Sequence, residues 1–414
     1  MAKIAILHPS DPAGHVPSGI DGIIRGILQW APPDLEYTLL GATTDQRARP
    51  VGSEAVLPLG NRNVRFLPLV IMDAKARHSA VPLVVRYMWA LSRHARGNNL
   101  AAFNILDFHR IEPVWLFRRD DRPKNMIVHQ DMSVLRDKNC DIMWRHAPWL
   151  YERIESSLFR HVDHIFAVRQ TAVSRYRNLY PDLANRFSFI PTWVDTSVFS
   201  APKNFDERAR ARANLRSALG IGKTANRILV YVGRLDKQKD PLLLLRAFCE
   251  AVRQQDDLHL VVIGDGDLRQ QVEAARKELV IENRVSLLGV KRPSEIVQVL
   301  HGSNLFVLSS AYEGMPIAVL EALATGLPVA STNVGEVPLV VRNGVSGQIS
   351  AERSAGALAT AICTALGQSE SMTGEPCETS VASYRPEKVL SLLYENHRRQ
   401  AKVLEGQAKL CVLS

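Results

Sequence analysis

Two carboxylates stand out in the stretch Ser309-Ser-Ala-Tyr-Glu-Gly-Met-Pro-Ile-Ala-Val-Leu-Glu-Ala-Leu-Ala-Thr-Gly326, at Glu313 and Glu321. An apolar run ends just before them at Leu308, Pro316 stands where a helix's first position is expected, and Gly326 closes that helix. The amino end of such a helix offers free amides and a positive dipole to an anion or a hydroxyl oxygen. Gly314 lets a ligand approach the backbone closely. Glu321 lies on a helix that is apolar on nearly every face, so its carboxylate needs donors. Sugar or ribose hydroxyls would supply them, and so would an arginine in the core. A second cluster, Val232-Gly-Arg-Leu-Asp-Lys-Gln-Lys-Asp-Pro241, puts Arg234 and Lys239 in a loop that follows another apolar strand. Arginine as a fork and lysine as a point charge suit a pyrophosphate. Taken alone, such a loop reads as solvated surface; beside Glu313 and Glu321 it reads as a ligand site.

The first half adds Ser18-Gly19 at the start of a helix after the first strand, a candidate phosphate neighbour. His129 closes the strand Met126-Ile-Val and can hydrogen-bond a substrate hydroxyl, with His109 as a weaker copy. Three further patterns carry less. Gly264-Asp-Gly-Asp-Leu-Arg begins like a dinucleotide fingerprint, but Arg269 takes the third glycine's place. Its Asp265 and Asp267 form a carboxylate pair with no further ligand cluster, so no metal site is assigned. Gly222-Lys223-Thr224 lacks the first glycine of a phosphate-binding loop and precedes its strand.

These loops need elements to position them. Short apolar strands alternate with helical stretches, including strands at Ile4–Leu7, Tyr37–Leu40, Met126–Val128, Ile228–Val232, Leu258–Ile263 and Leu305–Leu308. Strands apolar on both faces and separated by helices predict parallel sheets covered on both sides. The series occurs twice, which predicts an α/β protein of two doubly wound, Rossmann-like domains with ligands at the carboxyl ends of the strands. The expected division is 1–202 and 203–383, with the break in the charged stretch 203–225. Residues 384–414 are expected to form an amphipathic helix and tail that cross back to pack on the first domain.

Composition narrows the classes. Lys and Arg total 51 against 42 Asp and Glu, a formal charge of +9. Residues 51–100 hold seven basic and two acidic residues. Nucleic acid, an anionic membrane and anionic small molecules all suit that charge. No nucleic-acid motif or aromatic-interleaved basic stripe is present, so nucleic acid is set aside. Arg86, Arg93 and Arg96, with Val84, Val85, Met88, Trp89 and Leu91, fit either a solvated helix or one docked on an anionic membrane. No uncharged apolar run is long enough to span a bilayer, and the amino-terminal apolar run is too short for a signal peptide. Five scattered cysteines fit a reduced cytoplasmic protein, peripheral at the inner membrane face if the basic helix docks there.

Taken together, Val-Gly-Arg-Leu with Lys239 five residues after Arg234, Val-Ile-Gly-Asp-Gly, the spaced Glu313 and Glu321, Gly-Leu-Pro-Val-Ala-Ser-Thr-Asn-Val-Gly-Glu-Val-Pro and Asn343-Gly-Val-Ser-Gly resemble the retaining glycosyltransferases of family four, which have the GT-B fold. The resemblance covers almost the whole chain and is most specific from 228 to 349. It implies two Rossmann-like domains facing a cleft and a nucleotide-sugar donor as substrate, with no separate cofactor and no metal. It implies that Arg234 and Lys239 bind the donor pyrophosphate, Glu321 the ribose, and Glu313 with Gly314, Met315 and Pro316 the transferred sugar. Gly19 falls on the family's phosphate loop in the first domain and His129 on its active-site histidine. Departures are Thr192-Trp193 where the family has Asn-Gly, and Ser18-Gly19 where it often has two glycines. The expected activity is retaining transfer of a hexose to a glycan or lipid-linked acceptor in polysaccharide or glycoconjugate biosynthesis. A non-catalytic nucleotide-sugar or glycan-binding protein, or a nucleotide-dependent oxidoreductase, are the alternatives.

Overall fold

A computed structural model describes residues 1–14, 19–60, 62–72, 81–97, 99–129, 148–222 and 226–413. Ser18, Cys140, Lys223 and Thr224 lie outside the described residues. The chain divides into one unit of Met1–Pro191 with Glu387–Ser414, and a second of Thr192–Pro386.

In the first unit the strands are β1 (Ala2–Leu7), β2 (Leu35–Thr43), β3 (Ala55–Leu59), β4 (Arg62–Ile71), β5 (Ile105–Phe108), β6 (Lys124–Val128), β7 (His164–Ala167) and β8 (Phe187–Phe189). They form one sheet in the order β3-β4-β2-β1-β5-β6-β7-β8, parallel except that β3 runs antiparallel to β4 at the edge. The reversal of strand order lies between β1 and β5, where the strand ends leave a crevice.

The second unit holds β9 (Arg227–Val232), β10 (Leu258–Ile263), β11 (Val285–Gly289), β12 (Leu305–Leu308), β13 (Val329–Ser331) and β14 (Gly347–Ile349). Their order is β11-β10-β9-β12-β13-β14, all parallel, with the switch point between β9 and β12. Successive side chains serve opposite cores. Ile228, Val230, Phe306 and Leu308 join Leu320 and Leu323 on one face, and Leu229, Tyr231, Leu305 and Val307 join Leu244 and Phe248 on the other. That two-sided burial is why these strands carry no polar alternation.

Several expectations need correction. The charged stretch after Pro202 is a helix, Phe205–Ala218, capped by Asn204, whose side chain accepts from the Glu207 amide. Its Leu215 lies in the core and the chain crosses between units at Pro191–Thr192 instead, so composition alone misplaced the break. Further along, the short helices Ser369–Met372 and Glu375–Ser380 bury Met372 and Cys377. β3 and β14 went unread because they are short edge strands.

The long carboxyl-terminal helix, Ser391–Leu413, belongs to the first unit. It is held by more than apolar contact. His397, fully buried, bonds Tyr37 OH through Nδ1 at 2.7 Å and Asp107 Oδ1 through Nε2 at 3.0 Å. Asn396 Nδ2 and Gln400 Nε2 both donate to Asn125 Oδ1, and Tyr394 OH donates to the Ile27 carbonyl.

Candidate active site

The loops that leave β9 and β12 flank the switch point of the second unit, and the structure joins them there. Lys239 Nζ lies 2.6 Å from Glu313 Oε1, and Ser310 Oγ donates to the same oxygen at 2.6 Å. Both partners are largely buried, with side chains 16% and 6% exposed. Oε2 has no partner among the described residues, which leaves it open to a ligand hydroxyl. Gln238 couples the loops again: its carbonyl accepts from the Ala311 amide, and its side chain donates to the Tyr312 carbonyl.

Arg234 behaves differently. Its side chain is 69% exposed, pairs with Asp236 at 2.9 Å and donates to Gln238 Oε1. Tyr231 OH donates to the Arg234 carbonyl and pins the loop from beneath. Asp240 then takes a left-handed conformation (φ 42°) and caps the Pro241–Gln254 helix through the Leu243 amide.

Gly264 and Gly266, discounted above as a failed fingerprint, have a packing role. The loop after β10 lies against the Arg234 loop: the Leu235 amide donates to the Asp265 carbonyl and the Leu268 amide to the Leu235 carbonyl. Gly264 has φ +135°, and a Cβ there would stand 1.9 Å from the Gly233 carbonyl oxygen. Gly335 does the same for the other loop. Its φ is +53°, a Cβ would come within 2.2 Å of the Gly314 oxygen, and the Glu336 amide donates to that carbonyl. The residues that crowd these loops are invisible to a reading of motifs one at a time.

The helix that follows is Ile317–Ala324, with Pro316 as its N-cap, one position before the expected place. No side chain among the described residues caps its first turn. Gly326 (φ +70°) ends it in a Schellman motif, with Gly326 bonded to Leu323 and Leu327 to Ala322. Glu321 has no hydrogen bond or ion pair among the described residues, so no core arginine satisfies it. Burial pushes its carboxyl up to about 7.

In the first unit, His129 follows β6, His109 follows β5 and His8 follows β1. His109 Nδ1 and His129 Nε2 are 2.9 Å apart with rings stacked, and His8 meets His109 edge-on at 6.1 Å between centroids. Burial pushes His129 and His8 down to about 3, and His109 well below its ordinary value, so all three are neutral at pH 7. His129 Nδ1, His109 Nε2 and both His8 nitrogens are buried without a hydrogen-bond partner among the described residues. His109 is therefore a direct partner of His129, and His8 was missed although it too closes a parallel strand. Gly19 begins the Gly19–Gln29 helix.

Fold and site together define a two-unit Rossmann-like protein of the GT-B type. The family model described as glycosyl transferases group 1 matches residues 212–375 of the chain. It is 25% identical over 239 residues to a D-inositol 3-phosphate glycosyltransferase of Segniliparus rotundus, which spans 56% of this chain and 51% of that protein. Over 174 residues it is 31% identical to an Escherichia coli UDP-Gal:alpha-D-GlcNAc-diphosphoundecaprenol alpha-1,3-galactosyltransferase, across 41% of this chain and 42% of that one. The chain thus spans about half the length of the curated relatives it matches. Sucrose-phosphate synthase from Thermosynechococcus elongatus superposes with a TM-score of 0.74 at 18% identity, covering 97% of this chain and 100% of that one. At that identity the likeness speaks to the fold.

Proposed function

We propose that this chain is a retaining, metal-independent glycosyltransferase that moves a hexose from a nucleotide-diphosphate sugar to a glycan or lipid-linked acceptor in polysaccharide or glycoconjugate biosynthesis. The observation that carries the reading is the Lys239–Glu313 pair at the switch point, next to the helix that bears Glu321, which has no partner among the described residues. Departure of the diphosphate puts positive character on the sugar ring and negative charge on the leaving group. Lys239, Arg234 and the helix amino end stabilise that negative charge with groups already in place. Donor binding draws Lys239 toward phosphate and frees Glu313 for the sugar hydroxyls, with the Gly314 and Met315 amides alongside. Glu321 accepts from the ribose. His129, neutral and with Nδ1 unpartnered among the described residues, would serve as a hydrogen-bond group for a sugar hydroxyl, and Gly19 as a phosphate neighbour at its helix start. The leaving phosphate serves as the base toward the acceptor hydroxyl on the face it vacates, which retains configuration.

An anionic membrane surface suits the Leu83–Arg96 helix. Val85 and Trp89 are exposed, and Arg93 sits over the Trp89 ring at 5.8 Å. Nearby, Arg118 covers the exposed Trp115 at 4.4 Å. Tyr87 and Leu91 point into the core, so Leu91 leaves the docking face. Among the described residues no helix is long and apolar enough to cross a membrane. Co-sedimentation with anionic vesicles is expected and should drop in Trp89→Ala/Arg93→Ala; equal sedimentation of both proteins removes this surface.

Calorimetric titration with UDP-, GDP- and ADP-sugars tests the main reading. One base series should bind. Glu313→Gln and Lys239→Ala should each slow transfer at least about tenfold, ~1.4 kcal/mol. Binding of none, or near wild-type turnover in both variants, refutes it.

A further inference from the structure

Besides the candidate site, the second unit has a cavity of about 1240 Å³ lined by residues that precede β9 and β12, among them Asn226 and Asn304, so it lies at the amino edge of the sheet. Two arginines of the Phe205–Ala218 helix, Arg208 and Arg212, also line it. They are one turn apart and therefore neighbours on one face. Arg208 is 9% exposed. Its Nη2 donates to the Thr325 carbonyl at 2.7 Å, while its Nη1 is buried with no partner among the described residues. Arg212 donates only a long bond, Nε to the Gly302 carbonyl at 3.4 Å. Neither forms an ion pair among the described residues. Glu370 and Glu378 line the cavity as well, and the Glu378 charge reaches Arg208 without bonding it. Burial lowers the Arg208 pKa, and the positive charge of Arg212 lowers it further.

We propose that this cavity binds a small ligand through an oxyanion, a phosphate or carboxylate group, held by the Arg212 guanidinium with the Arg208 charge behind it. Two neighbouring cations with no ion-pair partner among the described residues repel. An oxyanion offsets that repulsion, and its geometry matches the planar fork of Arg212. The cavity is larger than a lone oxyanion needs, and Phe205, 81% exposed, lines it, so the ligand carries an organic part. Nothing in this proposal depends on the glycosyl-transfer reading.

Arg208 also closes the carboxyl end of the Ile317–Ala324 helix, so its removal would confuse binding with folding. Arg212 gives the cleaner test. The Arg234→Ala/Lys239→Ala protein, in which the other anion loop is silenced, is melted in sodium phosphate, sodium acetate and sodium chloride at matched ionic strength. Phosphate or acetate should raise the melting temperature saturably above chloride. Adding Arg212→Gln should weaken the apparent affinity at least tenfold while leaving the chloride melt unchanged. Should that variant melt early in chloride, Arg212→Lys replaces it: the charge stays, the fork goes, and a several-fold weakening is expected. A response equal to chloride overturns the proposal, and so does one that survives both Arg212 substitutions.

Discussion

Donor binding is expected to tighten about tenfold between about pH 6 and about pH 8, because Glu321 must lose a proton before it can accept two hydroxyl hydrogens. Its carboxyl is pushed up to about 7 from 4.5 by the desolvation of its charge, with no donor to it among the described residues. At about pH 6 roughly one molecule in eleven has Glu321 ionised, and at about pH 8 roughly ten in eleven, a difference of ~1.4 kcal/mol in binding. The diphosphate of a nucleotide sugar keeps its charge across that range, and the buried His8 and His129 stay neutral. Titration calorimetry at the two pH values reads the affinity, and buffers of contrasting ionisation enthalpy read a release of about half a proton per donor at neutral pH. Glu321→Gln should flatten the profile and weaken binding at the upper pH. Its stability should move the other way. A native carboxyl with a raised pKa holds its proton while the unfolded chain has lost it, so stability declines as pH rises from 4.5 to about 7. Glutamine escapes that loss and should be more stable above neutrality. An affinity constant flat from acid to base in the parent protein, or a slope that persists in Glu321→Gln, refutes the reasoning.

Lys239→Ala and Glu313→Gln, combined in a double-mutant cycle on transfer rate, should show a coupling of about 1–3 kcal/mol, since each partner is buried against the other; additive losses would separate them. Gly264→Ala and Gly335→Ala would force Cβ atoms to 1.9 and 2.2 Å from carbonyl oxygens at positive φ, whereas Gly22→Ala meets nothing within 4 Å. The first two should destabilise by at least about 2 kcal/mol in urea denaturation and the third should be neutral or stabilising. His8 and His129 are held near 3 against an ordinary 6.5, so the unfolded chain binds the extra protons below 6.5 and stability falls with pH down that window. The slope is up to ~1.4 kcal/mol per pH unit for each. His129→Gln should remove its share, as read from urea midpoints at about pH 7 and about pH 5.

What could be read from residues was what burial writes into single segments. β9, β10 and β12 are apolar on both faces because helices cover both, so their runs were plain. β3 and β14 lie at sheet edges, where short strands lack that signature. The stretch after Pro202 has a linker's composition, yet Asn204 caps it and Leu215 anchors it; one buried leucine among many charges leaves almost no periodic signal. In the site, residue types were legible and their partners were not. Lys239 and Glu313 come from strands that are neighbours only because the sheet order reverses, and their chemistry depends on that adjacency. The glycines make the same point. Gly264 and Gly335 contribute no chemical group, but each lets one backbone lie against the loop that carries Arg234 or Glu313. The Gly-Asp-Gly pattern fails as a dinucleotide fingerprint for the reason that it succeeds here: it receives a neighbouring loop where the fingerprint would receive a phosphate. The charged residues and these glycines are thus two halves of one construction, in which a Cβ in the wrong place would displace the cation as surely as its deletion.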